Sequence, residues 1–483
     1  MEVELQGAVS LSQERLINDG GVSMKLLIIG SGAAGSTAAQ FARKTTRLAE
    51  ITVLGNESYS EYSKCGLPYV ISGVIPSFGD LIEFPRSWFQ HFKINLALET
   101  EVCDVDSEAK IVKSISLPDG RKEDHHYDVL VIATGAISWI PEIEGAFLDS
   151  GRLKEGVFTL RTMDDAKQIH ERVEKGKKAI IVGSGLIGME MAEALSVRGM
   201  ETYVRLRTHV LTGMIDEDMA GLVQKSAAVR GIHFIPRVTA SKIGGEQRVE
   251  YVVLKDLDTG EESEYPTDLV VISAGSKANV EIAKKAKCQI GSTGGIVVDK
   301  RCETSVKSIY AAGDCTEYLD FVTGKPSLIG LGSIGVKQGR VAGVNAVAGK
   351  EEMPPGILNN RTTELFGLEI SAVGPTMREL KRAGIEPVVG KFNGSTLPDY
   401  FPGRKAIAVK VMADPKNGRI IAAQIVGEED VHQRINVFAA AVFEGMTLNE
   451  FIKLETCYAP PAAPTFDCMT LAVDAALMRW KRR

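Results

Sequence analysis

Two glycine-rich turns and one cysteine are the residues in this sequence best suited to chemistry. The first turn, Gly30-Ser31-Gly32-Ala33-Ala34-Gly35, and the second, Gly183-Ser184-Gly185-Leu186-Ile187-Gly188, both carry the G-x-G-x-x-G spacing of a dinucleotide loop. In such a loop the first glycine permits a tight turn, the second lets the backbone approach a pyrophosphate, and the third lets helix pack on strand. The N–H groups and partial positive charge of the helix start then face the phosphates. One such turn can be incidental. Two copies, each after an apolar run and before a helical one, predict two dinucleotides and a hydride relay between them. Cys65 lies in Tyr62-Ser63-Lys64-Cys65-Gly66-Leu67-Pro68-Tyr69. A thiol reacts as thiolate, so a depressed pKa is expected, supplied by the helical start after Cys65 and by adjacent Lys64.

The elements that must hold these groups are legible around them. Lys25 to Ile29 is a continuous apolar run typical of a strand buried on both faces, and Ala179 to Val182 repeats it. Each copy has a downstream strand ending in a small-residue turn: Tyr127 to Ala133-Thr134-Gly135 for the first, and Asp268 to Gly275 for the second. Ser308-Ile-Tyr-Ala-Ala-Gly313-Asp314 places a carboxylate directly after a strand and a glycine. There Asp314 can accept a hydrogen bond from a ribityl or ribose hydroxyl. Beyond Gly349-Lys-Glu-Glu-Met-Pro-Pro-Gly356 the glycine-turn pattern stops, and Ala406–Met412 and Ile420–Val426 read as strands of a new α+β unit. The expected fold class is α/β, with two Rossmann-like nucleotide-binding domains and a C-terminal α+β dimerisation domain. The expected boundaries are an extension at 1–23, a discontinuous first nucleotide domain at 24–145 and 276–349, a second at 146–275 and the interface domain at 350–483.

Length and composition agree with this organisation. At 483 residues the chain has room for roughly three domains. A net charge of −6 with no basic block argues against nucleic acid. The seven cysteines form no C-x-x-C pair, so neither a zinc site nor any other metal site is expected. An odd cysteine count, residues 1–23 without a basic start, and no apolar run long enough to span a bilayer lead to an expectation of a cytoplasmic protein free of the membrane.

The chain resembles the flavin and pyridine-nucleotide disulfide oxidoreductases, in their single-cysteine branch. The resemblance runs from residue 24 to about 477 through the Cys65 segment, Gly156-Val-Phe-Thr-Leu-Arg161, Ser308 to Asp314, Gly339-Arg-Val-Ala-Gly343 and Tyr458-Ala-Pro-Pro461. That branch holds coenzyme A-disulfide reductases, NAD(P)H oxidases, NADH peroxidases and polysulfide or persulfide reductases. Two-cysteine members place a second Cys five residues on, where this chain has Val70; after Asp314 its sole histidine, His432, lies outside any matching motif. Ala33 stands where peroxide-handling members have His. One thiol is therefore expected to cycle through a persulfide, mixed disulfide or sulfenic acid.

The resemblance implies FAD held by Gly30, Gly32, Ala33, Ala34, Gly35, Glu57, Val102, Ala133, Thr134, Gly135, Arg161, Gly313 and Asp314. Gly183, Gly185, Leu186, Ile187, Gly188, Arg205, Arg207 and Gly275 are implied for the nicotinamide dinucleotide, so that the first nucleotide domain is the implied FAD domain and the second the implied NAD(P) domain. Glu57 stands in for the ribose carboxylate, because the second strand ends at Gly55, where the family usually has Glu. Arg205 and Arg207 occupy the place of an acid in NADH enzymes and suit a 2′-phosphate, which favours NADPH over NADH. Cys65 is the implied catalytic thiol. Tyr458, reaching across a homodimer interface, is the implied proton donor to a departing thiolate, with Tyr400 as its companion and Cys457 as the other cysteine to watch. Thr37, Arg43, Lys44, Ser63 and Lys64 are the implied substrate contacts. Phe466 replaces the Lys that coenzyme A-disulfide reductases carry eight residues after the tyrosine, so coenzyme A rests on Arg43 and Lys44. The expected activity is NAD(P)H-dependent reduction of a small-molecule disulfide, polysulfide or persulfide. The alternatives are an NAD(P)H oxidase reducing O2 and a redox-responsive binding protein without turnover.

Overall fold

The computed structural model describes residues 24–483. The extension at 1–23 lies outside the described residues. The first sheet opens with β1 (Lys25–Ile29), crosses helix α1 (Ala33–Thr45) to β2 (Glu50–Leu54), and continues to β3 (Ile94–Ala97) and β4 (Val129–Ile132). β1 runs parallel to both β2 and β4, with Leu27 opposite Thr52 on one side and Leu130 on the other. Four of its five residues are buried, as a strand covered on both faces requires. The crevice at the C-terminal ends of β1 and its neighbours is where such sheets take ligands. Between β2 and β3 the chain forms a short 3-10 turn at Lys64–Gly66 and then helix α2 (Leu67–Ser72), which starts with Pro68 in its first turn.

The second body repeats the first. β5 (Val157–Phe158), β6 (Lys178–Val182), β7 (Glu201–Arg205), β8 (Ile232–Ile235) and β9 (Leu269–Ile272) form a parallel sheet in the order β8-β7-β6-β9-β5. Helix α3 (Leu186–Val197) follows β6, and α4 (Glu217–Val229) follows β7. The chain then returns, and β10 (Ile309–Ala311) joins the first sheet beside β4, giving the order β10-β4-β1-β2-β3. An antiparallel ribbon of Ala136–Ser138 with Ser276–Ala278 carries the outward and return crossings. Ile143 packs in the core of the second body with Ile180 and Val270.

Helix α5 (Gly332–Ala346) lies against α1. A side chain at Gly339 or Gly343 would strike the carbonyl oxygen of Ala34 or Ala38 at 2.3 and 2.2 Å, so the two helices meet backbone to backbone. The third body is the antiparallel sheet β11 (Arg361–Leu365), β12 (Leu368–Val373), β13 (Val388–Ser395), β14 (Ala406–Ala413) and β15 (Ile420–Gly427), ordered β11-β12-β15-β14-β13. Helices α6 (Val431–Phe443) and α7 (Cys468–Trp480) bury Phe438, Val473 and Leu477 on it. Toward the second body, buried Lys410 donates to Asp216 at 2.7 Å and to Asp218 at 2.9 Å.

Candidate functional site

The two glycine loops divide the work as the dinucleotide pattern requires. A Cβ at Gly30 would lie 2.1 Å from the Ala133 carbonyl oxygen, and one at Gly35 would lie 1.9 Å from the Gly30 carbonyl oxygen. The second loop matches it: Gly183 closes on the Ser273 carbonyl at 2.2 Å, and Gly188 on the Gly183 carbonyl at 2.1 Å. Gly30 and Gly183 also hold positive φ, at 110° and 142°. The middle glycines, Gly32 and Gly185, meet nothing within 4 Å. The outer glycines are thus fixed by packing, and the middle one fronts open space at a helix start, the cradle a pyrophosphate fits. Ala33 and Ala34 form the first turn of α1, and Leu186 and Ile187 that of α3. Gly55 accounts for the missing strand-end acid, because a side chain there would meet Ser31 Oγ at 2.3 Å.

Beside the first loop, Arg161 Nη2 donates to Asp314 Oδ2 at 2.8 Å, both half-buried. Gly135, at φ 68°, leaves room for that guanidinium, whose nearest nitrogen would be 3.5 Å from a Cβ. Arg161 Nε has no partner, and neither has buried Gln338 Nε2, although Gln338 Oε1 accepts from Gly313 N–H and Thr316 Oγ1. Unsatisfied buried donors at this wall fit a polar ligand with acceptor oxygens, as the ribityl–phosphate part of FAD provides. Thr134 Oγ1 donates to the Asn279 carbonyl, Ala133 is buried just past the end of β4, and Val102 is buried within the strand Thr100–Asp106. Gly275, at φ 132°, accepts from Trp139 N–H where the chain crosses between bodies.

Cys65 sits in the 3-10 turn before α2, reached by solvent although protein crowds much of the thiol. Its electrostatics differ from the sequence expectation. Burial first, then Glu190 and Asp314, push the thiol up, and Arg161 pulls it down. Lys64 does not supply the expected charge to the thiol: its Nζ donates to Glu57 Oε1 at 2.7 Å. Glu57 Oε2 accepts from Tyr62 Oη at 2.6 Å, and that phenol accepts from Met163 N–H. Both carboxylate oxygens are therefore engaged, and each keeps a second lone pair that a ribose hydroxyl can use.

The remaining expected substrate contacts are spread along α1 and the Cys65 segment. Arg43 donates to the carbonyls of Phe92, Arg47 and Lys93, each at 2.9 Å, so its guanidinium closes the end of α1 and keeps one Nη2 N–H for a further acceptor. Thr37 lies within α1 and is mostly buried. Lys44 is exposed over the Phe41 ring, about 15 Å along the helix from Ala34. Ser63 is half-buried beside Cys65 with its hydroxyl outside the helix cap.

At the end of β7, Arg205 is only 7% exposed and its Nε has no partner. Burial, with nearby Arg207, brings the guanidinium down to about 10. Arg207 is exposed. A buried, incompletely paired cation is costly in isolation, and an anionic group on the bound dinucleotide would relieve it. In the third body, Tyr400 and Tyr458 are 71% and 50% exposed, with hydroxyls 3.2 Å apart. No contact joins either tyrosine to Cys65 of the same chain among those described. Sequence reading missed Glu190, Thr363 and Gln338. Their one local signal is a polar residue set in the apolar face of a helix or strand.

Comparison with known proteins accords with this geometry. Residues 24–339 match the family model for pyridine nucleotide-disulphide oxidoreductase, and residues 362–469 match the dimerisation domain of that family. An NADH oxidase of Methanocaldococcus jannaschii is 38% identical over 94% of this chain and 99% of its own. An NAD(P)H coenzyme A polysulfide/persulfide reductase of Pyrococcus horikoshii is 34% identical over 92% of this chain and 96% of its own. Among solved structures, an NAD-dependent persulfide reductase from A. fulgidus superposes with a TM-score of 0.89 at 33% identity, covering 95% of this chain and 84% of that one. With two nucleotide cradles, a cysteine beside the first and a dimerisation fold after them, the chain belongs to the pyridine nucleotide-disulphide oxidoreductase family, whose enzymes are FAD- and NAD(P)H-dependent oxidoreductases.

Proposed function

We propose that this protein reduces the S–S bonds of small polysulfides, persulfides or disulfides with NAD(P)H, through Cys65. The observation that carries the reading is a solvent-reached Cys65 thiol beside the Arg161–Asp314 pair, with no second cysteine bonded to it; all seven cysteines are free. Bound FAD would supply the two electrons from NAD(P)H that each turnover consumes. The Cys65 thiolate attacks one sulfur of the substrate, forms a mixed disulfide or persulfide, and expels the other sulfur as a thiolate that takes up a proton. In a homodimer the partner subunit's Tyr458, paired with the partner subunit's Tyr400, donates that proton. Arg205 and Arg207 favour NADPH. A coenzyme A contact would fall to Thr37, Arg43, Lys44, Ser63 and Lys64, with Arg43 offering its remaining N–H.

The relative named NADH oxidase keeps a second reading in view, in which O2 is the acceptor and Cys65 becomes a sulfenic acid. Anaerobic reduction with NADH and NADPH in turn, then a panel of polysulfide, coenzyme A disulfide, O2 and peroxide, separates the two. Cys65→Ser should retain FAD and lose polysulfide reduction. Turnover retained by that variant would overturn the proposal, and NAD(P)H consumption only in air would replace it with the oxidase reading.

A further inference from the structure

The segment that leads into Cys65 is tied to one helix by two tyrosines. Tyr59 and Tyr62 stand six and three residues before the thiol, their rings edge to face with centroids 6.1 Å apart. Tyr59 Oη donates to Asp164 Oδ1 at 2.6 Å and accepts from Lys167 Nζ at 2.9 Å. Tyr62 is only 4% exposed, and its Oη donates to Glu57 Oε2 at 2.6 Å while accepting from Met163 N–H at 2.8 Å. Met163, Asp164 and Lys167 all lie on the helix Met163–Arg172, whose Met163, Ala166 and Ile169 pack in one core with Leu67, Val70 and Ile71 of α2. A buried phenol that gives its proton to one fixed partner and a lone pair to another is oriented from two sides.

The start of the same helix carries Arg161. Asp165 Oδ2 accepts from Arg161 N–H at 2.8 Å and from Thr162 N–H at 2.9 Å, so the capping box holds the backbone of both residues. Arg161 Nη2 reaches Asp314 Oδ2 at 2.8 Å, on the wall of the first nucleotide site. Toward the thiol, Glu57 Oε1 accepts from Nζ of Lys64, the residue before Cys65, at 2.7 Å. The Cys65 turn is thus referred to the Asp314 wall through Lys64, Glu57, Tyr62, Met163 and Arg161, with every hydrogen-bonded step between 2.6 and 2.8 Å. Burial and Glu57 push the Tyr62 phenol up, so it stays neutral and keeps the proton that the Glu57 bond needs.

We propose that Tyr62 is a positioning residue for Cys65: its phenol fixes the thiol's turn against the helix Met163–Arg172, and so sets where the thiol stands relative to the Arg161–Asp314 wall. Glu57 holds the phenol proton, which leaves a lone pair facing Met163 N–H. The role is placement alone, and the phenol passes on neither proton nor electron. A thiol that must meet both a flavin and a substrate sulfur gains from a fixed turn, because a misplacement of about 1 Å can cost about a hundredfold in rate. The proposal rests on Cys65 being the redox thiol, but its test needs no sulfur substrate.

The test is alkylation of Cys65 in the reduced holoenzyme by iodoacetamide and by its bulkier N-benzyl derivative. It is followed on the Cys65 peptide by mass spectrometry, with exposed Cys457 of the third body as the reference in the same sample. Both reagents draw on the same thiolate, so the ratio of their rates is independent of the thiol pKa. A held turn should disfavour the bulky reagent at Cys65. Tyr62→Phe keeps the ring and removes both bonds, and should reduce that discrimination by about three- to tenfold with Cys457 unchanged. Glu57→Ala leaves the phenol and removes its acceptor, so it should move the ratio the same way, and it carries the test if Tyr62→Phe fails to load FAD. Glu57→Gln keeps an acceptor oxygen and should stay closer to wild type. No discrimination in the wild type, or an unchanged ratio in both Tyr62→Phe and Glu57→Ala, would overturn the proposal. So would a lowered unfolding midpoint with equal loosening at Cys65 and Cys457, which is what a purely structural role gives. Failure of the reductase reading would show as absent turnover in the wild type and would leave these ratios readable.

Discussion

Lys64 turns its ammonium to Glu57, at 2.7 Å, and away from the adjacent Cys65. In the sequence the two neighbours suggest a cation activating a thiol, yet in the fold the cation belongs to a network of Lys64, Glu57, Tyr62 and the Met163 N–H. The cation that faces the thiol is Arg161, held by Asp314. Lys64→Met should therefore leave the alkylation midpoint of Cys65 within about 0.3 pH unit of wild type, because the lysine charge is already matched by Glu57. Arg161→Gln should raise the midpoint and weaken FAD retention together. A large upward shift in Lys64→Met would return the activating role to the lysine.

Arg205 gives a prediction about the nicotinamide dinucleotide. Its guanidinium is buried with an unpaired Nε, and a charge-assisted bond to a 2′-phosphate contributes about 1.5–3 kcal/mol. Arg205→Ala should raise the KM for NADPH by about ten- to a hundredfold and change that for NADH little. Equal effects on both dinucleotides would assign Arg205 to packing alone.

Glu61 predicts a pH dependence of stability. It is 6% exposed, Oε2 has no partner, and burial with nearby Glu83 pushes its carboxyl from 4.5 up to about 7. A carboxyl whose folded pKa lies above its unfolded one contributes its full stability below the unfolded value. That contribution is lost as pH rises through the folded value. The wild type should lose stability between about pH 4.5 and 7, with a contribution from Glu61 on the order of 3 kcal/mol. Glu61→Gln should flatten the unfolding midpoint across that window. An equally steep profile in the variant would show that Glu61 does not titrate there.

What could be read from the sequence was what depends on near neighbours along the chain. The glycine loops, β1, β6 and the strand before Asp314 each declare themselves within about ten residues, because turn geometry and strand burial are local demands. Partnerships across long separations were not legible. Arg43 reaches Phe92 and Lys93, Arg161 reaches Asp314, and Glu190 reaches Thr363. In each case the residue type is compatible with several roles, and only the fold selects the partner. Arg43 shows this: a basic residue on the nucleotide helix suits a phosphate, and only the fold reveals the carbonyls that take most of its donors.

The paired tyrosines predict how the third body contributes to turnover. Tyr400 and Tyr458 are exposed on one chain with their hydroxyls 3.2 Å apart, and Phe466, Leu454 and Phe443 are exposed in the same body. Such apolar exposure on a dimerisation domain fits coverage by a second copy. If the partner subunit's Tyr458 protonates the leaving sulfur, Tyr458→Phe should keep the dimer and FAD and lower kcat by about ten- to a hundredfold, with KM little changed. The loss should shrink for substrates whose leaving thiol has a low pKa, since a good leaving group needs no proton. Tyr400→Phe should fall between Tyr458→Phe and wild type, because it removes only the bond that aims the other phenol. Mixed dimers give the sharper test: a Cys65→Ser subunit joined to a Tyr458→Phe subunit places both defects at one site and leaves the other intact, so half the activity should remain. If Tyr458 instead served the cysteine of its own chain, each subunit would be defective and activity would fall to the residual rate of the Tyr458→Phe subunit alone.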